Sequence, residues 1–181
     1  MVPAMTTTPE FDRSAAGDRK VIHDVNTSGW HVVQVAPQGG HHGWAFSIGL
    51  FHTFRHPEVV VFGLPDDVMD TLIHTIGNAI RSGAAFQDGH DNPDLMRPYR
   101  CVFKTVEPLW YARVLAHATW FYGGHDFPAV QLFWPDREHR FPWQEAFDPE
   151  LVSFQPLLFH REPQRAGTKQ WVESPRHEGG V

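Results

Sequence analysis

The segment Glu58-Val-Val-Val-Phe-Gly63 limits the fold of this chain more than any other. An extended run that is apolar at odd and even positions alike has no face to give to water. It has to be a central strand covered on both sides. Directly after it, Pro65-Asp66-Asp67 opens a helix. Proline fits a first helical turn, and the two carboxylates suit its positive end. Val68, Met69, Leu72, Ile73, Ile76, Ala79 and Ile80 supply the apolar stripe, and Gly83 the stop. A doubly covered strand feeding an amphipathic helix demands a sheet with helices packed on it.

The segment before it strengthens that expectation. In Trp44-Ala-Phe-Ser-Ile-Gly-Leu50 the even positions are large and the odd positions are small. Period two means a strand with one bulky face and one nearly bare face. The bare face, Ala45-Ser47-Gly49, admits the close approach of a helix, a backbone or a ligand. Trp30–Ala36 reads as another strand, joined to this one by the turn-rich 37–43. Residues 51–57 read as a loop, 86–93 as a polar loop, and 99–106 as a strand. Residues 109–122 have helical spacing and stop at Gly123-Gly124. Residues 129–134 give a further strand, and Arg140-Phe-Pro-Trp143 returns as a short hairpin arm. Three strands, helix, strand, helix, strand is neither strict alternation nor segregation. The expected fold is a single α+β domain over 19–160, with a mixed or mostly antiparallel sheet and two main helices. The polar ends, 1–18 and 161–181, are expected to be flexible tails.

Composition narrows the function classes. Net charge is −6, from 15 basic and 21 acidic residues. A nucleic-acid partner is therefore not expected, because such binders carry a basic excess. No apolar run is long enough to cross a membrane, and the first residues lack the basic and apolar regions of a secretory signal. The single cysteine, Cys101, excludes an internal disulfide and a cysteine zinc cluster. A cytoplasmic setting of bacterial type is expected. Histidine is the residue type that changes charge nearest neutrality, and protonating all 13 here would reverse the sign of the net charge.

Several stretches together carry a family resemblance. Gly29-Trp30-His31-Val32-Val33, Phe46-Ser47-Ile48-Gly49-Leu50, His56-Pro57-Glu58, Gln131-Leu-Phe-Trp134-Pro135-Asp136 and Phe141-Pro142-Trp143 fall in a shared order over about residues 20–150. In this the chain resembles an uncharacterised bacterial family, domain of unknown function 4262. The resemblance implies no established activity. That family usually has Tyr-Thr-Ile-Gly-Leu where this chain has Phe46-Ser47-Ile48-Gly49-Leu50, so a hydroxyl remains at 47 and the phenol at 46 is lost.

The candidate chemistry follows from residue types. His56 precedes the buried strand and has Glu58 two residues on, which fits an oriented acid/base histidine as well as a structural one. His52 and His56 are four apart, but Pro57 disfavours the helix that would align them on a metal. His41-His42 and His125-Asp126 sit in glycine-rich stretches. Small residues flank Ser47 as in a nucleophile elbow, yet no helix is expected after it. Gln131, Trp134, Asp136 and Trp143 cluster at the last hairpin and suit a small polar ring or sugar-like ligand.

The combined expectation is a cytosolic small-molecule-binding protein, with any catalysis carried by His56, Glu58 and Asp136 in an aromatic-lined pocket. Ser47, Gln131, Trp134 and Trp143 are the expected ligand contacts. Two other classes stay open. One is a metal enzyme using two or three of His41, His42, His52, His56 and His125. The other is a non-enzymatic, immunity-like interaction module. The residues do not identify a cofactor, and its identity is left open.

Overall fold

The computed structural model describes residues 15–161. Six strands form one mixed sheet: β1 (His31–Val35), β2 (Trp44–Ile48), β3 (Glu58–Phe62), β4 (Asp91–Met96), β5 (Tyr99–Thr105) and β6 (Ala129–Phe133). Their spatial order is β1-β2-β3-β6-β5-β4. β3 and β6 pair in parallel, with Val60 opposite Gln131, and the other four pairings are antiparallel. The helices are α1 (Ala15–Ser28), α2 (Leu50–Phe54), α3 (Asp66–Arg81), α4 (Tyr111–Val114) and α5 (Ala116–Tyr122). The architecture is therefore α+β in one domain, as the sequence pattern predicts.

Each face of the sheet carries its own core. Trp44, Phe46 and Ile48 of β2 point into one, with Val21 and Val25 of α1, Val114 of α4, Ala118 of α5 and Leu115 between those two helices. Ala45 points into the other, with Met69, Ile73 and Ile76 of α3 and Trp30. The bulky face of β2 thus fills a core while the bare face receives a helix. α3 comes so close on that side that a Cβ on Gly77 would lie 2.4 Å from the Trp30 ring. β3 is buried along its whole length, because both layers cover it.

Several local expectations are corrected. Residues 15–28 form α1, so Ala15–Asp18 belong to a helix; the remaining tail residues, 1–14 and 162–181, lie outside the described residues. α1 buries Val21 and Val25 and turns most of its polar side chains outward. The expected loop 51–57 begins with the short helix α2, and the polar stretch 91–96 is the exposed edge strand β4. The helix expected over 109–122 breaks at Leu115 (φ −126°), which divides α4 from α5. Arg140–Trp143 forms no strand. No helix among the described residues is long and apolar enough to cross a membrane.

Candidate functional site

Glu58 is the first residue of β3 and is completely buried. Four donors converge on its carboxylate. The Ser47 hydroxyl donates to Oε2 at 2.5 Å, the backbone N–H groups of Gly49 and Phe51 donate to Oε1 at 2.9 and 3.1 Å, and the Tyr122 hydroxyl donates to Oε1 as well. Ser47 in turn accepts the Val59 N–H at 2.9 Å. Backbone pairing of β2 with β3 has ended at Phe46 and Val60, so the serine hydroxyl takes over as acceptor. The Tyr122 oxygen also accepts the His52 N–H at 3.2 Å. Burial pushes the Glu58 carboxyl above its usual range, and its hydrogen bonds offset part of that push. Burial and the neighbouring Glu58 charge likewise raise the Tyr122 phenol well above its ordinary value.

The consequence of this network is the placement of α2. That helix has no side-chain cap of its own, since its first residue follows Gly49. Glu58 reaches across from β3 and satisfies two N–H groups that would otherwise be orphaned at the helix start. Gly49 has φ +109°, and a Cβ there would lie 2.7 Å from Val25 and 3.0 Å from the Gly29 carbonyl oxygen. α2 can therefore press against the last turn of α1. The Thr53 hydroxyl closes the contact by donating to the Gly29 carbonyl at 2.8 Å.

An open groove of about 420 Å³ lies where these two pieces meet. Asn26, Thr27, Ser28 and Gly29 at the end of α1 form one wall, Thr53 and Phe54 of α2 another, and Arg81 at the end of α3 completes it. The Arg81 guanidinium sits over the Trp30 ring, 4.6 Å from its centre. It donates to the Ser28 carbonyl and, at 3.3 Å, to Asn78 Oδ1. A second open groove, of about 370 Å³, runs between Val68 and Leu72 of α3 and Leu95, Met96 and Tyr99 of the β4–β5 hairpin.

The residues singled out from sequence fall into separate places. Ser47 and Glu58 are in direct contact. His56 is nearby in sequence but faces the other way: its Nδ1 donates to the Pro57 carbonyl at 2.7 Å, and its Nε2 accepts the Phe86 N–H at 2.8 Å. Both ring nitrogens are thus occupied in the neutral form. Burial lowers its pKa, with the hydrogen bond to the Pro57 carbonyl acting in opposition. Asp136 organises the 136–148 turn by accepting N–H bonds from Glu138, Arg140 and Asp148 and an ion pair from Arg140. Desolvation opposes its ionisation, but these hydrogen bonds prevail and hold the carboxyl below its usual range.

Gln131 is buried and ties β6 to the 156–158 segment, donating to the Pro156 carbonyl at 2.8 Å. The Trp134 indole donates to the Phe62 carbonyl at 2.9 Å. Trp143 is half-buried and stacks on Phe141 with ring centres 5.1 Å apart. These three, with Asp136, do not share the Glu58 network or line either groove.

The histidines are dispersed. His42 stacks on Phe154, His52 meets Phe121 edge-on and His125 meets Tyr111. Among the described residues no three histidine, cysteine or acidic side chains gather as a metal set. The elbow-like Ser47 also resolves. A helix does follow β2, but the turn is made at Gly49, and Ser47 lies inside the strand, fully buried.

Tyr122, Thr53, Asn26 and Arg81 are absent from the sequence-derived set. Tyr122 lies 64 residues from Glu58, and Arg81 lies 53 from Ser28, so only the fold joins them. The one local signal was the pair Gly29 and Gly49, each flanking a strand in a position where a side chain would collide.

Residues 24–148 match the family described as Domain of unknown function (DUF4262). The chain belongs to this family. No curated protein and no solved structure matches the chain. Three residues from the stretches that carry the family resemblance, Gly29, Ser47 and Glu58, meet at the α1–α2 groove and the carboxylate behind it. In this member the arrangement offers hydroxyl, amide and guanidinium groups at the surface. The buried Glu58 acts as a brace behind them and has no exposed atom with which to touch a ligand.

Proposed function

We propose that this protein is a cytosolic small-molecule-binding protein whose ligand occupies the groove between the end of α1 and α2. The observation that carries the proposal is a polar groove of ligand size with a purpose-built wall. Its volume falls in the range of small-molecule sites, roughly 300–1,000 Å³. Its lining supplies Asn26, Thr27, Ser28, Thr53 and Arg81, while Phe54 offers an apolar surface. The wall formed by α2 is held by Glu58 through two backbone N–H groups, so the groove is preformed rather than assembled on binding. The occupied nitrogens of His56 favour binding over histidine acid/base chemistry. The acidic balance of the chain supports a partner other than nucleic acid.

A protein-observed NMR screen of polar small molecules tests the proposal. Binders are expected to move the amide signals of 25–29 and 53–54, and Asn26→Trp, which places an indole in the groove from an exposed helix position, is expected to abolish those shifts. Binders that leave these signals unmoved, or that bind Asn26→Trp as well as the parent, overturn it.

A further inference from the structure

We infer that the ligand of this groove is an anion, a carboxylate or phosphate oxyanion held by Arg81; the inference rests on the groove being the binding site. Among the described residues, Arg81 is the only formally charged side chain in the lining. Of the polar groups that share the groove with it, the Asn26 amide and the Ser28 hydroxyl can donate to an oxyanion, while the Thr27 and Thr53 hydroxyls already donate to the His23 and Gly29 carbonyls. A guanidinium has five N–H donors. The Ser28 carbonyl and Asn78 Oδ1 engage two of them, and three remain for a two-pronged oxyanion contact.

The guanidinium is also held in place. It rests on the Trp30 ring, and that indole is itself fixed by donation to His74 at 3.2 Å. Less side-chain freedom is then lost when an anion arrives.

The negative end of α1 is partly covered. A helix C-terminus repels anions, but the Val25, Ser28 and Gly29 carbonyls are taken: Gly29 N–H donates to the first, Arg81 to the second and the Thr53 hydroxyl to the third. Asp24, two residues before Asn26, is paired with Lys20 at 2.5 Å and His31 at 2.7 Å. The net charge of −6 is spread over the whole chain, and charges more than about 10 Å away are screened at moderate salt.

The test is an NMR titration of the full chain at constant ionic strength with three probes: inorganic phosphate, acetate and glycerol. Phosphate or acetate is expected to shift the Arg81 Nε–H signal and the Ser28 and Thr53 amides saturably, while glycerol does not. Arg81→Gln is expected to weaken the anion at least about tenfold, since charge-assisted hydrogen bonds are lost. Arg81→Lys should retain part of the affinity. Asn26→Asp, an exposed change with no packing cost, should weaken the anion by repulsion with the fold intact. Tighter phosphate than acetate assigns a phosphate ligand, and the reverse order a carboxylate. Saturable glycerol shifts with none from either anion overturn the anion inference and leave the groove. Anion affinity unchanged in both Arg81→Gln and Asn26→Asp also overturns it. Silence at these signals for all three probes overturns the groove together with the inference.

Discussion

Replacing Glu58 separates what its charge does from what its acceptor atoms do. In Glu58→Leu the N–H groups of Gly49 and Phe51 lose their acceptor within a buried site. Each orphaned donor costs about 1–3 kcal/mol. The Ser47 and Tyr122 hydroxyls can turn, so they add less. Against this stands relief from burying a carboxylate, which the upward push on its pKa records. The expected net loss is about 3 kcal/mol. Glu58→Gln keeps one acceptor oxygen for Gly49, Phe51 and Tyr122, and its amide can donate to Ser47 once that hydroxyl rotates. The expected loss is about 1 kcal/mol.

Urea unfolding at neutral pH reads both values. The pH dependence gives an independent check. The folded-state pKa of Glu58 lies above the ordinary carboxyl value of 4.5, so its protonation favours the fold. That contribution is fully present below 4.5 and lost as pH rises through the folded value. The parent should therefore gain stability relative to Glu58→Gln on acidification from neutrality. A Glu58→Leu protein as stable as the parent would show that the network does not hold α2. A Glu58→Gln loss equal to the Glu58→Leu loss would show that charge, not acceptor geometry, is what matters.

Other consequences are equally open to measurement. Gly49→Ala combines an unfavourable φ of +109° with a 2.7 Å contact to Val25 and should cost about 2–4 kcal/mol by urea unfolding, with loss of ligand shifts at the groove. His56 has a folded pKa below 6.5, so its stabilising contribution is present above 6.5 and is lost as pH falls through the folded value. His56→Gln should consequently show a smaller stability drop than the parent between about pH 7.5 and 5.5; an equal drop refutes the assignment. Burial, aided by the Asp91 charge, lifts the Cys101 thiol to about 12. A thiol reagent should label it at least about a hundredfold faster in denaturant than in buffer, and equal rates would contradict its burial.

How far the fold was legible depended on how each segment is stabilised. β2, β3 and α3 announce themselves because their own side chains fill the core, and periodicity reports burial. α1 is hard to read because, among its described side chains, Val21 and Val25 are the buried apolar ones, too thin a stripe to stand out among Asp18, Arg19, Lys20 and His23. α2 was missed because it is little more than one turn long and its cap comes from another strand. β4 is an edge strand with Asn92-Pro93-Asp94 in it, and edge strands favour such residues, which read as loop. The break at Leu115 carries no glycine or proline; it follows from burying Tyr111, Val114 and Leu115 beside Ala116 and Ala118 in one core. At the site, Ser47 and Glu58 stood out because a polar side chain in an apolar strand needs a reason. Their mutual contact, and the roles of Tyr122, Thr53 and Arg81, depend on chain segments brought together only by folding.

The groove between the end of α1 and α2 is where we propose that this protein holds its ligand. A crystal structure of the full chain grown with phenyl phosphate tests it most directly. The phosphate oxygens are expected within about 3 Å of the Arg81 guanidinium, with the Ser28 hydroxyl or the Asn26 amide as a further donor. A phosphate bound elsewhere on the protein with this groove empty would contradict it.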